Sequence, residues 1–139
     1  MQQAAFWLYI FQSRSRAWAK ADSTHYSGTL RSSLNETVGG PINEWIGSDL
    51  NAWHDLAVKA IAYEKKFPFY HSKVESVPEK EWQELLEKER KQYEAEFNSA
   101  FEKLLAGDGK KYYEERKSKG LYVGPWQNPG APLLEQWVK

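Results

Sequence analysis

The sequence predicts an all-α protein of roughly four or five helices, with one long amphipathic helix as its spine and an extended C-terminal arm. Three observations carry this. Ser76–Gly107 repeats apolar residues at three- and four-residue steps between charged ones. Two further stretches, Gln3–Lys20 and Pro41–Phe67, keep the same period. Leu121–Pro132 is rich in proline, glycine and aromatics and is incompatible with regular helix.

In chain order, Ala4–Phe11 is the most apolar run, far short of the ~20 residues that span a bilayer. Arg14, Arg16 and Lys20 follow, and the first acid is Asp22. An acid-free, Arg- and Ser-containing start resembles an organelle transit segment. The simpler reading, an ordinary first helix Gln3–Lys20 with Trp7, Ile10, Phe11 and Trp18 facing the core, is favoured. Ala21–Gly28 reads as a loop and Thr29–Val38 as a short helix. Gly39-Gly40-Pro41 is expected to break the chain, with Pro41 opening the next helix. It is read as one helix ending before Pro68, with a kink at Gly47-Ser48-Asp49 as the alternative, where Ser48 or Asp49 could cap a restart.

In the spine helix, Ser76 is a candidate N-cap with Glu79 three residues on, and Pro78 suits the first turn. Glu84–Lys88 and Glu87–Lys91 are favourable i,i+4 pairs, and Gly107 is expected to end the helix. At ~1.5 Å per residue such a helix runs ~45 Å, long for a domain of this size. Trp45, Trp53, Ala57 and Ile61 are expected to pack on its Trp82, Leu86, Tyr93 and Phe97, together with the aromatic face of the first helix. Lys110–Lys119 reads as a short helix stopped by Gly120, and Leu133–Val138 as a last turn. The chain thus divides into a helical domain, 1–120, and an arm, 121–139.

Composition narrows the function. There are no cysteines, which removes thiolate metal sites and thiol nucleophiles. The formal net charge is zero, which argues against nucleic acid as the partner. Residues 1–74 lean slightly basic and 75–139 slightly acidic. Seven Trp and eight Tyr in a polar chain point to extensive contact surface, or to an aromatic-rich core. His25, His54 and His71 are scattered and lack metal-site spacing. His54 and Asp55, one apart on a helix, are not expected to face each other. No serine lies in a nucleophile elbow, and Gly39-Gly40 is no phosphate loop. The glutamates are read as solvated. No catalytic, cofactor or metal residues are assigned, and an enzyme is not expected. Function by contact is expected instead, with Tyr122, Trp126, Leu134 and Trp137 as interface anchors on the arm. On that reading, replacing Trp126 and Trp137 with alanine loosens a partner and leaves the fold intact.

Short blocks in the middle of the chain carry a family resemblance. Ser32-Ser33-Leu34-Asn35-Glu36-Thr37, Pro41-Ile42-Asn43-Glu44-Trp45, Tyr63-Glu64-Lys65-Lys66-Phe67 and Val77-Pro78-Glu79 with Trp82 resemble, in order, subunit d of the mitochondrial ATP synthase peripheral stalk. The spacings differ by several residues, and the family's acidic segment before its C-terminal arm is not recognisable here. The resemblance implies a non-catalytic stator subunit on the matrix side of the inner membrane, touching the membrane only through other protein subunits; without it, a cytoplasmic location is the default. A second resemblance, of Phe6–Lys20, Trp45 and the Trp53–Tyr70 helix, is to the HMG box, and implies DNA binding. There Gly39-Gly40-Pro41 falls where the second helix must be continuous, and the charge does not suit a minor-groove protein. A third reading needs no family: a free-standing binding module or virus-type inhibitor that covers a partner's surface.

Overall fold

The computed structural model describes residues 1–22, 24, 26–66 and 74–139. Among them the fold is all-α, with no strand. Its helical segments are α1 (Gln2–Ala21), α2 (Tyr26–Leu34), α3 (Gly40–Ile46), α4 (Leu50–Glu64), α5 (Glu79–Lys103), α6 (Gly109–Ser118) and α7 (Glu135–Val138). Wide π-type turns at Asn35–Gly39 and Leu104–Asp108 join α2 to α3 and α5 to α6.

The hub of the fold is α1, not the long helix. It packs on α2, α3, α4 and α5, and buries Ala5, Phe6, Leu8, Tyr9, Ile10, Ser13 and Ala17. By contrast, α5 buries only Trp82, Leu86, Glu89 and Phe101 of its 25 residues. The main core joins the first half of α1 to Ile42 and Ile46 of α3 and to Leu56, Ala57 and Ala60 of α4. A second, smaller cluster sets Trp82 and Leu86 against Ala17, with Val74 and Val77 at its edge. Trp82 and Leu86 thus meet the first helix, as expected, but at Ala17 instead of its aromatic face, and in a cluster separate from the one that Trp45 and Trp53 pack against. Farther along α5, Phe97 packs on the main core as Trp53 does, and Trp53 also meets Phe101, a residue outside the expected set, with the rings 5.1 Å apart.

The inward face of α1 is also rotated from the expected one. Ile10 is buried, but Trp7 and Trp18 keep about two fifths of their surface exposed (39% and 40%). Compact Ala5, Ala17 and Ser13 instead let neighbouring helices come close, while the broad indoles lie at the rim.

Gly39-Gly40-Pro41 does not break the chain. Helix would ordinarily require an N–H at position 41 to satisfy the Thr37 carbonyl, and proline has none. The wide turn of Asn35–Gly39 changes the bonding pattern just before Pro41, and α3 follows directly with proline in its first turn. The single helix read over this stretch is two, interrupted at 47–49, where one of the two candidate caps is used: Asp49 accepts from the Ala52 N–H at 3.0 Å and caps α4. The predicted Ser76 capping box is absent. α5 starts at Glu79 after Pro78, without a side-chain cap. Its far end bends instead of stopping, since Gly107 has non-helical geometry inside the wide turn and α6 follows at once.

Gly120 stops α6 as expected. It takes a left-handed φ of 72°, while its N–H bonds the Lys117 carbonyl and the next N–H, of Leu121, bonds Arg116. Residues 121–134 form no helix. They run back across α3 and α1, so segment 121–139 shares the main core, to which Trp126, Leu133 and Trp137 contribute.

Candidate interaction surface

Among the described residues, three polar constructions and an open apolar groove stand out. The first construction is a clasp of buried charge around α1. Glu64 at the end of α4 is 1% exposed. Its carboxylate receives Arg90 Nε at 3.0 Å and Nη2 at 3.1 Å, and Arg14 Nε at 3.3 Å. Glu89 of α5, equally buried, accepts from Arg16 Nε at 3.2 Å and forms an ion pair with Lys20 Nζ, 2.7 Å away. Arg16 then forks onto both oxygens of Glu96 at 2.7 and 3.1 Å. That fork holds the Glu96 carboxyl down at about 2. The reading of all glutamates as solvated is therefore corrected at Glu64 and Glu89. Each sits where a basic residue of α1 faces inward.

The second construction is a tyrosine network. Trp53 Nε1 donates to the Tyr9 hydroxyl at 2.5 Å, which donates on to Asn43 Oδ1 at 3.2 Å. Across a small cavity of about 200 Å³, Tyr93 donates to Gln12 Oε1 at 3.1 Å, and Gln12 donates to Asn35. Burial pushes both phenols above their ordinary range. They remain neutral hydrogen-bonding groups at neutral pH.

The third is the seat of the C-terminal segment. The carbonyls at the end of α3 need donors. Arg116, 7% exposed, gives Nη2 to Glu44 O at 2.7 Å. Trp126 Nε1 bonds Ile46 O at 2.9 Å, and Gly124 N bonds Ser48 O at 2.9 Å. Trp45 reciprocates, giving Nε1 to Gln127 O at 2.7 Å, and its ring lies 4.9 Å from that of Trp126. Gly47 is what lets this close: a Cβ there would run into the Tyr112 hydroxyl and Arg116. Farther on, Gln2 and Gln3 bond the carbonyls of Ala131 and Pro132, and Trp137 stacks on Phe6 at 5.4 Å.

Of the four residues expected to anchor a partner, two thus face the chain itself. Trp126 and Trp137 pack on its core. Tyr122 and Leu134 keep 43% and 46% of their surface exposed. His54 stacks near Phe97 at 5.9 Å and has Nδ1 3.6 Å from Asp55 Oδ1, so the two do approach, beyond hydrogen-bond length. His25 and His71, with 67–70, lie outside the described residues. Among the described residues no group of three metal-ligating side chains occurs, and no helix is long and apolar enough to cross a membrane.

An open groove of about 280 Å³ lies between α1 and α2. Phe11 and Trp18 form its α1 wall, Tyr26 and Leu30 its α2 wall, and Arg14 and Arg31 line it too. Tyr26, at 69% exposed, and Leu30 stand out to solvent. The sequence reading missed this surface. Its one signal was the four-residue step from Tyr26 to Leu30, which the loop and late helix start hid.

No protein-family model, no curated protein and no solved structure matches this chain.

Proposed function

We propose that this chain is a non-catalytic subunit that acts by contact within a larger protein assembly. The observation that carries the reading is the α1–α2 groove, where Tyr26 and Leu30 stand exposed beside Phe11 and Trp18. Large apolar side chains gathered at one place on a surface mark a contact site, whereas single ones do not. Tyr122 and Leu134 add a separate exposed region on the C-terminal segment. Trp126 and Trp137 enter as the ties that hold that segment in place.

The resemblance of the central blocks to peripheral-stalk subunit d narrows the assembly to a rotary ATP synthase and the location to the matrix side of the inner membrane. That narrower reading rests on the sequence blocks alone. The DNA-binding reading has less support. Helical continuity through Gly39-Gly40-Pro41 removes one objection to it, but a chain of zero net charge offers little for phosphates.

Native gel electrophoresis of gently solubilised source material, with mass spectrometry of each band containing the chain, tests the proposal. Migration in a large assembly with rotary-ATPase subunits supports the stalk reading. Migration with one unrelated partner retains function by contact and discards the stalk. Migration as a small species without partners overturns both.

A further inference from the structure

Each buried or half-buried arginine of the described chain but one has its charge answered. Arg14 and Arg90 hold Glu64, and Arg16 holds Glu89 and Glu96. Arg116 lies on the carbonyls at the end of α3, where the helix dipole is negative. Arg31 is the exception. Its Nε donates to Ser15 Oγ at 2.9 Å and its Nη2 to Gln12 O at 3.2 Å, both neutral acceptors. None of the ion pairs among the described residues includes it. Burial lowers its affinity for the proton, and Glu89 and Glu96, which act on it at longer range without an ion-pair contact, offset this in part. A half-buried cation without a carboxylate is costly to keep unless something supplies one.

Arg31 lines the α1–α2 groove, whose wall includes no acid. Asp22, close by in sequence, is occupied by Thr24 and by the Ser27 N–H. The groove is therefore apolar along its length, with an unanswered positive charge at one side. Its volume, about 280 Å³, falls below the ~300–1,000 Å³ of sites that enclose a drug-sized molecule, and it is open. It suits one or two side chains presented by another polypeptide.

We propose that this groove seats a partner segment in which an apolar side chain is paired with a carboxylate, the apolar group lying between Phe11 and Leu30 and the carboxylate on Arg31. The proposal rests on the contact-subunit reading above and specifies its partner's chemistry. Arg31 Nη1, which makes no hydrogen bond among the described residues, is the donor left for that carboxylate. On a partner helix the two groups fall three or four residues apart.

The test is selection of displayed random peptides on the full chain, followed by calorimetric titration of the enriched peptides as capped synthetic probes. Expected are peptides that join an aromatic or large aliphatic residue to Asp or Glu. They should lose at least tenfold in affinity against Arg31→Gln and as much when their own acid is amidated, with no further loss when both changes are combined. The amidated peptides keep the test decisive on the unmodified protein if Arg31→Gln loosens α2. Enriched peptides that bind through Tyr26 and Leu30, as judged by Tyr26→Ala and Leu30→Asp, but ignore both charge changes would overturn the role of Arg31 and leave the contact reading standing. Peptides indifferent to Tyr26→Ala and Leu30→Asp, or no enrichment, would overturn the groove as the docking site. The native-gel result then stands alone for or against the contact reading.

Discussion

The two ends of α1 are held by opposite means. Near its C-terminal half, Arg14, Arg16 and Lys20 reach inward to Glu64 and Glu89, so the helix is fixed to α4 and α5 through buried charge. Near its N-terminal half, Phe6 and its neighbours sit in an aromatic core closed by Trp137, and Gln2 and Gln3 bond the C-terminal segment. The charged end gains little net stability over an apolar substitute, but it tolerates only one arrangement, because each carboxylate must meet its own cations. The aromatic end gains from area and is less selective about detail. One helix thus takes its register from one end and much of its burial from the other.

Removing a single charge should break the charged end first. Glu64→Gln leaves Arg14 and Arg90 facing a neutral amide and is expected to cost about 3–5 kcal/mol in urea unfolding. Replacing Glu64, Arg14 and Arg90 together with apolar residues of similar size should recover much of that loss. A single substitution that cost no more than ~1 kcal/mol would mean that water already shields the site.

At the aromatic end, Trp137→Ala is expected to cost about 2 kcal/mol, roughly half the usual price of a fully buried tryptophan because its ring is only partly covered. Combined with Trp126→Ala, it should destabilise the fold instead of leaving it intact. A double variant with unchanged unfolding midpoint would return both residues to the partner-facing role.

Between the two ends lie Tyr9 and Tyr93, whose phenols burial raises from 10.0. A raised acid holds its proton more tightly in the folded state. Its contribution is complete below pH 10 and fades as the pH rises above it. Phenolate absorbance should therefore show two tyrosines that ionise late, together with loss of helix.

The smallest effect is expected at Glu96. Its carboxyl is lowered from 4.5 to about 2 by Arg16. The associated stability is present above pH 4.5 and lost as the pH falls towards 2. The pair is exposed, so Glu96→Gln should cost less than about 1 kcal/mol at neutral pH. A larger cost would place Glu96 with Glu89 as part of the clasp.

What the sequence makes legible here is local. The helical period of α1, α4 and α5, the Asp49 cap and the Gly120 stop each depend on residues within one or two turns. The clasp is not local: Arg16 meets Glu89 at a separation of 73 residues. Nothing in the periodicity of α5 separates Glu89 from its solvated neighbours. Trp7 and Trp18 mislead for a related reason. Aromatics occur on several faces of α1, and the small residues Ala5, Ser13 and Ala17, which set how near its neighbours come, carry little weight in a count of apolar positions. The break assigned to Gly39-Gly40-Pro41 fails because a wide turn absorbs what a regular helix could not. The groove was hidden by the same bias towards punctuation, since Gly28 falls inside α2 and not before it.

The seat of the C-terminal segment also bears on how the chain matures. The carbonyl of Ile46 receives its donor from Trp126, a separation of 80 residues, and that of Glu44 from Arg116, a separation of 72. During synthesis the end of α3 therefore waits, served only by water, until most of the remaining chain has emerged. Contacts of such long sequence separation form late and slow the final step of folding. Were the seat to close after the barrier, strengthening it would lengthen the life of the native state without hastening its arrival, which unfolding and refolding rates of a variant there would read.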